Sequence, residues 1–147
     1  MKTRRMLYLA VLAGLLVTMS ALPALAVDDI PMYVHQSRVA YTGRSSGGPD
    51  DIVGYVHIQD VNLAKVGGAI VFAEWTLPDG ALYTPPEGVE TNSHGLAVFD
   101  DLWAGFGVYT LCVTDVTKAG WEYDESLNWE GQTCATLVMP PQYQPGK

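Results

Sequence analysis

The side chains with the most distinctive chemistry in this 147-residue chain are two cysteines, three histidines, a set of acidic dipeptides and a group of aromatics near the C-terminal end. His35, His57 and His94 lie on separate segments, with no H-x-H, H-x₃-H or cysteine-partner spacing. A zinc site needs three or four convergent ligands, so these imidazoles read as solvated. The acidic pairs are Asp28-Asp29, Asp50-Asp51, Asp100-Asp101 and Asp124-Glu125. Calcium favours clustered oxygens at loop ends, which makes a calcium site conceivable. However, no D-x-D-x-D-G loop is present, and adjacent acids on a strand point to opposite faces. Solvated carboxylates and no cofactor are the expectation. The chain also lacks G-x-S-x-G, H-E-x-x-H and a phosphate-cradling glycine loop. Acid pairs for glycoside hydrolysis would have to face each other across a cleft, and nothing in the chain predicts one. The expectation is a protein that is not an enzyme.

The elements that must position these residues are short strands. After Ala26 no apolar pattern of helical period holds for three turns, whereas period-2 alternation recurs. Ile52, Gly54, Val56 and Ile58 share one parity, as do Ala69, Val71, Ala73 and Trp75. Ala97 and Phe99 follow, then Tyr109, Leu111 and Val113, and finally Ala135, Leu137 and Met139; Met32 and Val34 begin the first strand. Turn chemistry falls between, at 62–68, Pro78-Asp79-Gly80, 85–88 and Asn92-Ser93-His94-Gly95. Six or seven strands without helices predict an all-β, antiparallel sandwich over residues 27–139. Residues 42–51 form a flexible loop within it, and 140–147 a Pro-containing extended tail.

The same parity bears on Cys112 and Cys134, the only cysteines. Burying Tyr109, Leu111 and Val113 turns Cys112 outward, and burying Ala135, Leu137 and Met139 turns Cys134 outward. Both thiols then share one face of neighbouring strands and are expected to form a disulfide. Closing about 23 residues would stabilise the fold by roughly 3 kcal/mol.

The N-terminal residues read as an address. Lys2, Arg4 and Arg5 precede the twelve-residue apolar run Met6–Val17, and Ala24-Leu25-Ala26 offers small residues to a signal peptidase. The run is shorter than the roughly 20 residues that span a bilayer. Residues 1–26 are therefore expected to be a signal peptide, with no membrane insertion after its cleavage. Export to the periplasm, the cell surface or the medium makes a disulfide permissible. The whole chain carries a formal charge of −8; without the leader, five basic face sixteen acidic residues, a charge of −11. Such an acidic chain is not expected to bind nucleic acid or an anionic membrane, either of which needs a basic face.

A longer pattern runs through the strands. Asp60, Asn62, Val66, Gly68-Ala69, Val71 and Trp75 are followed by Thr91, Gly95, Ala97 and Phe99, then by Gly107-Val108-Tyr109-Thr110-Leu111. This resembles the D-x-N-x-x-P-V-x-G-A-x-V…W…T-x-x-x-G-x-A-x-F…G-x-Y-T-L pattern of bacterial immunoglobulin-like (Ig-like) surface and secreted modules, including the invasin-type and carboxypeptidase-regulatory-like groups. Lys65 stands where that family usually has Pro. The resemblance implies a seven-stranded Ig-like sandwich used for spacing, adhesion or protein contact. Within it Trp75 would plug the core with Phe99, and Tyr109 would sit as a tyrosine corner bonded to a nearby backbone group.

Two functional readings follow. The first is a non-catalytic exported module that binds or supports an unknown protein partner. The second is a small carbohydrate-binding module using the loop aromatics Trp103, Trp121, Tyr123 and Trp129 to stack on a polysaccharide. The connection over 116–132 is the expected contact region, because hairpins normally need 2–5 residues. Gly120, Tyr123, Asp124 and Asn128 match a G-x-x-Y-D…N segment of the same family, so part of this loop is equally expected to fold back onto the sheet.

Overall fold

The computed structural model describes residues 29–42, 51–129 and 131–141, with the side chains of Asp101 and Trp103 outside the description. The expected leader 1–26 and its cleavage point, Asp28, Asp50 and most of the 140–147 tail lie outside the described residues. Nine strands are described: β1 (Ile30–Thr42), β2 (Asp51–Asp60), β3 (Ile70–Thr76), β4 (Leu82–Tyr83), β5 (Val89–Glu90), β6 (Leu96–Trp103), β7 (Gly107–Thr117), β8 (Trp121–Tyr123) and β9 (Cys134–Met139). A single 3₁₀ turn, Glu125–Leu127, is the only helical element among them. They form two sheets. One is ordered β6-β2-β1-β8; the other is ordered β4-β3-β7-β9, with β5 also on β3.

Both sheets turn their apolar parity toward one core. Met32, Val34, Ile52, Val56, Ile58, Ala97 and Phe99 come from the first sheet; Val71, Ala73, Trp75, Tyr109, Leu111, Val113 and Met139 come from the second. Each fully buried large aliphatic or aromatic side chain contributes about 1.5–3 kcal/mol, so this shared cluster holds the layers together. Trp75 fills its centre, 1% exposed. Gly54 makes room for it: a Cβ there would stand 2.4 Å from Leu111 and 3.1 Å from the indole.

Polar residues of the long motif tie the turns to this core. Thr91 Oγ1 accepts from Ala69 N at 2.9 Å and donates to Val66 O at 2.8 Å. Asp60 Oδ1 accepts from Asn62 N and Ala64 N, both at 2.8 Å, which shapes the turn after β2. Gly95 has φ +71°, and a Cβ there would press on Ile58 O at 2.5 Å. No other residue fits that turn without displacing β2.

The structure departs from expectation in three respects. Nine strands are described where about seven were expected: the six alternating runs each form one, and the two-residue β4 and β5 and the three-residue β8 add three more. The sheets are mostly antiparallel, but β1 and β8 run parallel, Ile30 pairing with Trp121 and Met32 with Tyr123. The histidines are not uniformly solvated either. His94 is exposed in its turn, whereas His35 and His57 are half-buried, each with a shielded Nδ1 that has no hydrogen-bond partner. Alternation turns His57 outward but cannot register what packs beside it or beside His35.

Candidate functional site

The long connection between β7 and β9 lies along the edge of β1. Ile30 N donates to Gly120 O (3.2 Å), Asp124 N to Met32 O (2.9 Å) and Trp129 N to Val34 O (3.3 Å). Side chains continue the seam where backbone does not reach. Val34 N donates to Asn128 Oδ1 at 2.7 Å, and Ser37 N to Gln132 Oε1 at 2.9 Å. An edge strand with open donors and acceptors invites pairing with another chain, and this connection occupies them. Asp124 caps the 3₁₀ turn, its Oδ1 accepting from Ser126 N at 3.0 Å. Asn128 is also braced, donating through Nδ2 to Tyr123 OH (2.8 Å) and Thr133 Oγ1 (3.0 Å).

The four aromatic candidates part company here. Trp121 and Tyr123 are half-buried against the core, and Lys118 Nζ stands 5.6 Å from the Trp121 ring centre. Burial raises the Tyr123 pKa; its bond to Asn128 offsets part of that, and Glu125 and Asp115 add to it. Trp129 is 58% exposed although its backbone is pinned on both sides. Trp103 ends β6 opposite Asp51, at the far edge of the same sheet.

Beside Trp129 the register of β1 against β2 shifts between Val34 and Gln36, which makes His35 the extra residue of a bulge. Bulges re-aim side chains, and this one sets the His35 imidazole edge-on to the Trp129 indole, 4.6 Å between centres. The Tyr33 ring also lies edge-on to the imidazole, 6.4 Å between centres. His35, Gln36, Trp129 and Gln132 together line an open hollow of about 200 Å³. Gln132 Oε1 is engaged by Ser37 N, which leaves its amide N–H groups as donors toward the hollow. The His35 imidazole adds its ring nitrogens to this polar set. Among the described residues the lining thus combines one exposed aromatic with hydrogen-bonding side chains and no carboxylate or ammonium. Nearby His57 has its pKa lowered by burial first, then by Lys65 and His35.

The remaining candidates are elsewhere. Phe99 is 3% exposed, and Tyr109, 4% exposed, accepts at its hydroxyl from Gly105 N at 2.8 Å. Cys112 and Cys134 are directly opposed on β7 and β9 and form a disulfide, with Cα atoms 4.1 Å apart. The bond lies on the outer face of the second sheet, at the base of the connection that carries Trp129. Among the described residues no cluster of three or more His, Cys, Asp or Glu is arranged to hold a metal ion. No helix among them is long and apolar enough to cross a membrane.

Sequence reasoning selected Trp129 and missed His35, Gln36 and Gln132. The bulge that brings them together carries no Gly or Pro, and Gln132 acts through a contact to Ser37 95 residues away in sequence. In comparisons with known proteins, the chain matches no family model, no curated protein and no solved structure.

Proposed function

We propose that this chain is an exported, non-catalytic Ig-like module that binds a macromolecular partner through the surface around Trp129. The carrying observation is the contrast between the bonded backbone of Asn128, Trp129 and Gln132 and the 58% exposure of the Trp129 side chain. Ordering a loop in advance reduces the cost of association, and tryptophan is enriched among residues that dominate binding energy. Strand order supports the Ig-like reading: β1-β2-β6 neighbour one another as strands A, B and E do, and β3-β7-β9 as C, F and G do. The Tyr109 hydroxyl, bonded to backbone four residues upstream, supports it as well. An oxidising compartment suits the Cys112–Cys134 disulfide.

The test is retention of the exported chain on cell envelopes of its producing organism. Trp129→Ala is expected to abolish retention while leaving the melting temperature within about 2 °C, as for surface changes worth less than about 0.5 kcal/mol. Equal retention of the variant and the parent sinks the proposal.

A further inference from the structure

We infer that the His35–Gln36–Trp129–Gln132 hollow takes a single uncharged pyranose ring of a polysaccharide; the inference rests on the binding-module reading above. Size is the first argument. At about 200 Å³ the hollow is smaller than the roughly 300–1,000 Å³ of pockets that enclose drug-sized ligands. It fits one ring, with the rest of the ligand outside.

The second argument is chemical. A pyranose has a weakly polar face of C–H groups and a rim of hydroxyls, each able to donate and accept. The hollow offers the complement: the exposed Trp129 indole, with the amides of Gln36 and Gln132 and the imidazole of His35 in the same lining. Aromatic rings with an apolar body beside wet polar groups suit amphipathic ligands of this kind.

Charge is the third argument. None of the four described lining residues carries a fixed charge, and the chain as a whole is at −8. An anionic sugar would meet long-range repulsion, and neither it nor a cationic ligand finds an opposite charge among the described lining residues. A protein partner inserting one side chain would leave several of these neutral donors unsatisfied, at about 1–3 kcal/mol for each group that is buried.

Rigidity is the fourth argument. Asn128 fixes the backbone before Trp129, and the Gln132 N to Trp129 O bond (2.8 Å) fixes it after. The His35 ring has edge contacts with both Tyr33 and Trp129. The platform therefore exists before a ligand arrives.

The experiment is titration of the disulfide-bonded exported chain with cellohexaose, xylohexaose, maltohexaose and chitohexaose, with hexagalacturonate as the charged comparison. Calorimetry and tryptophan fluorescence supply the readouts, alongside the envelope-retention assay. At least one neutral hexaose is expected to bind with a micromolar-to-millimolar Kd and to shift the emission. Trp129→Ala should weaken that binding at least tenfold, and Gln36→Ala several-fold, with unchanged melting temperatures. The inference is overturned if no neutral hexaose binds at 10 mM, if hexagalacturonate binds best, or if Trp129→Ala binds the sugar as well as the parent does. When no sugar binds but envelope retention is still lost in Trp129→Ala, the binding-module reading stands and its ligand is a protein. When retention is also indifferent to Trp129, both fall.

Discussion

Trp121 and Trp129 stand eight residues apart in one connection, yet one is a structural wedge and the other a displayed ring. The segment around Trp121 pairs backbone to backbone with β1 as a parallel strand, and its aromatics lie on the core. Around Trp129 the seam depends largely on side chains, Asn128 and Gln132, which satisfy β1 without drawing the indole inward. The difference teaches that a long loop on a sandwich need not be wholly scaffold or wholly site. Its first half closes a sheet edge, and this anchorage holds the second half still in front of solvent.

The largest expected effect comes from removing what both halves share. Replacing Cys112 and Cys134 with Ser frees the base of the connection and should destabilise the fold by about 3 kcal/mol. Thermal unfolding under oxidising conditions should show a melting temperature more than about 10 °C lower. A loss under 2 °C would mean that the hydrogen-bonded seam alone holds the connection. Next in size is the split between the tryptophans. Trp121→Ala should cost about 2 kcal/mol, less than the 3–5 kcal/mol of a fully buried Trp because its ring is only half-buried. Trp129→Ala should cost under about 0.5 kcal/mol. Comparable losses in urea denaturation would erase the distinction between wedge and display.

Asn128→Ala sharpens the comparison. It removes three hydrogen bonds, to Val34, Tyr123 and Thr133, for about 2 kcal/mol at roughly 1 kcal/mol per partly buried bond less relaxation. Hydrogen exchange at Val34 and Trp129 should accelerate while the amides of Trp121 to Tyr123 keep their protection. Uniform acceleration across 120–129 would show that the halves open as one unit.

The smallest effect is a pH dependence under the bulge. His57 has a lowered folded pKa because its ring is partly desolvated and faces Lys65 and His35. Below its unfolded value of about 6.5 the unfolded chain takes up this proton more readily than the folded one. Stability is therefore intact above that pH and falls as the pH drops through the lowered folded value. His57→Gln should flatten the decline that begins near pH 6.5, read as urea midpoints across the range; an unaltered slope would place the acid sensitivity elsewhere.

What could be read from the residues follows the range of each interaction. Alternation in Ala69, Val71, Ala73 and Trp75 marks a buried face because neighbouring residues on a pleat report the same environment. The parity of Leu111 and Ala135 puts Cys112 and Cys134 on one face, and the antiparallel register of their strands then opposes them. β8 was not legible: three residues pairing in parallel with a strand some 90 positions earlier leave no local period. Nor was the hollow, whose members meet through a bulge and one long-range amide contact. Of the four proposed contact aromatics, composition could not tell which would be covered by the core, because Trp121, Tyr123 and Trp129 share the same acidic, aromatic neighbourhood.

The Cys112–Cys134 bond has a consequence for how the chain responds to a protease. It makes residues 112–134 a covalent ring, so a single cut anywhere in 113–133 opens the loop without releasing either end. The severed halves remain attached through the sulfurs, and β8 stays docked on β1 by its own ladder. A clipped molecule therefore migrates as one species until it is reduced and as two fragments afterwards, and it keeps its C-terminal strand in the sheet.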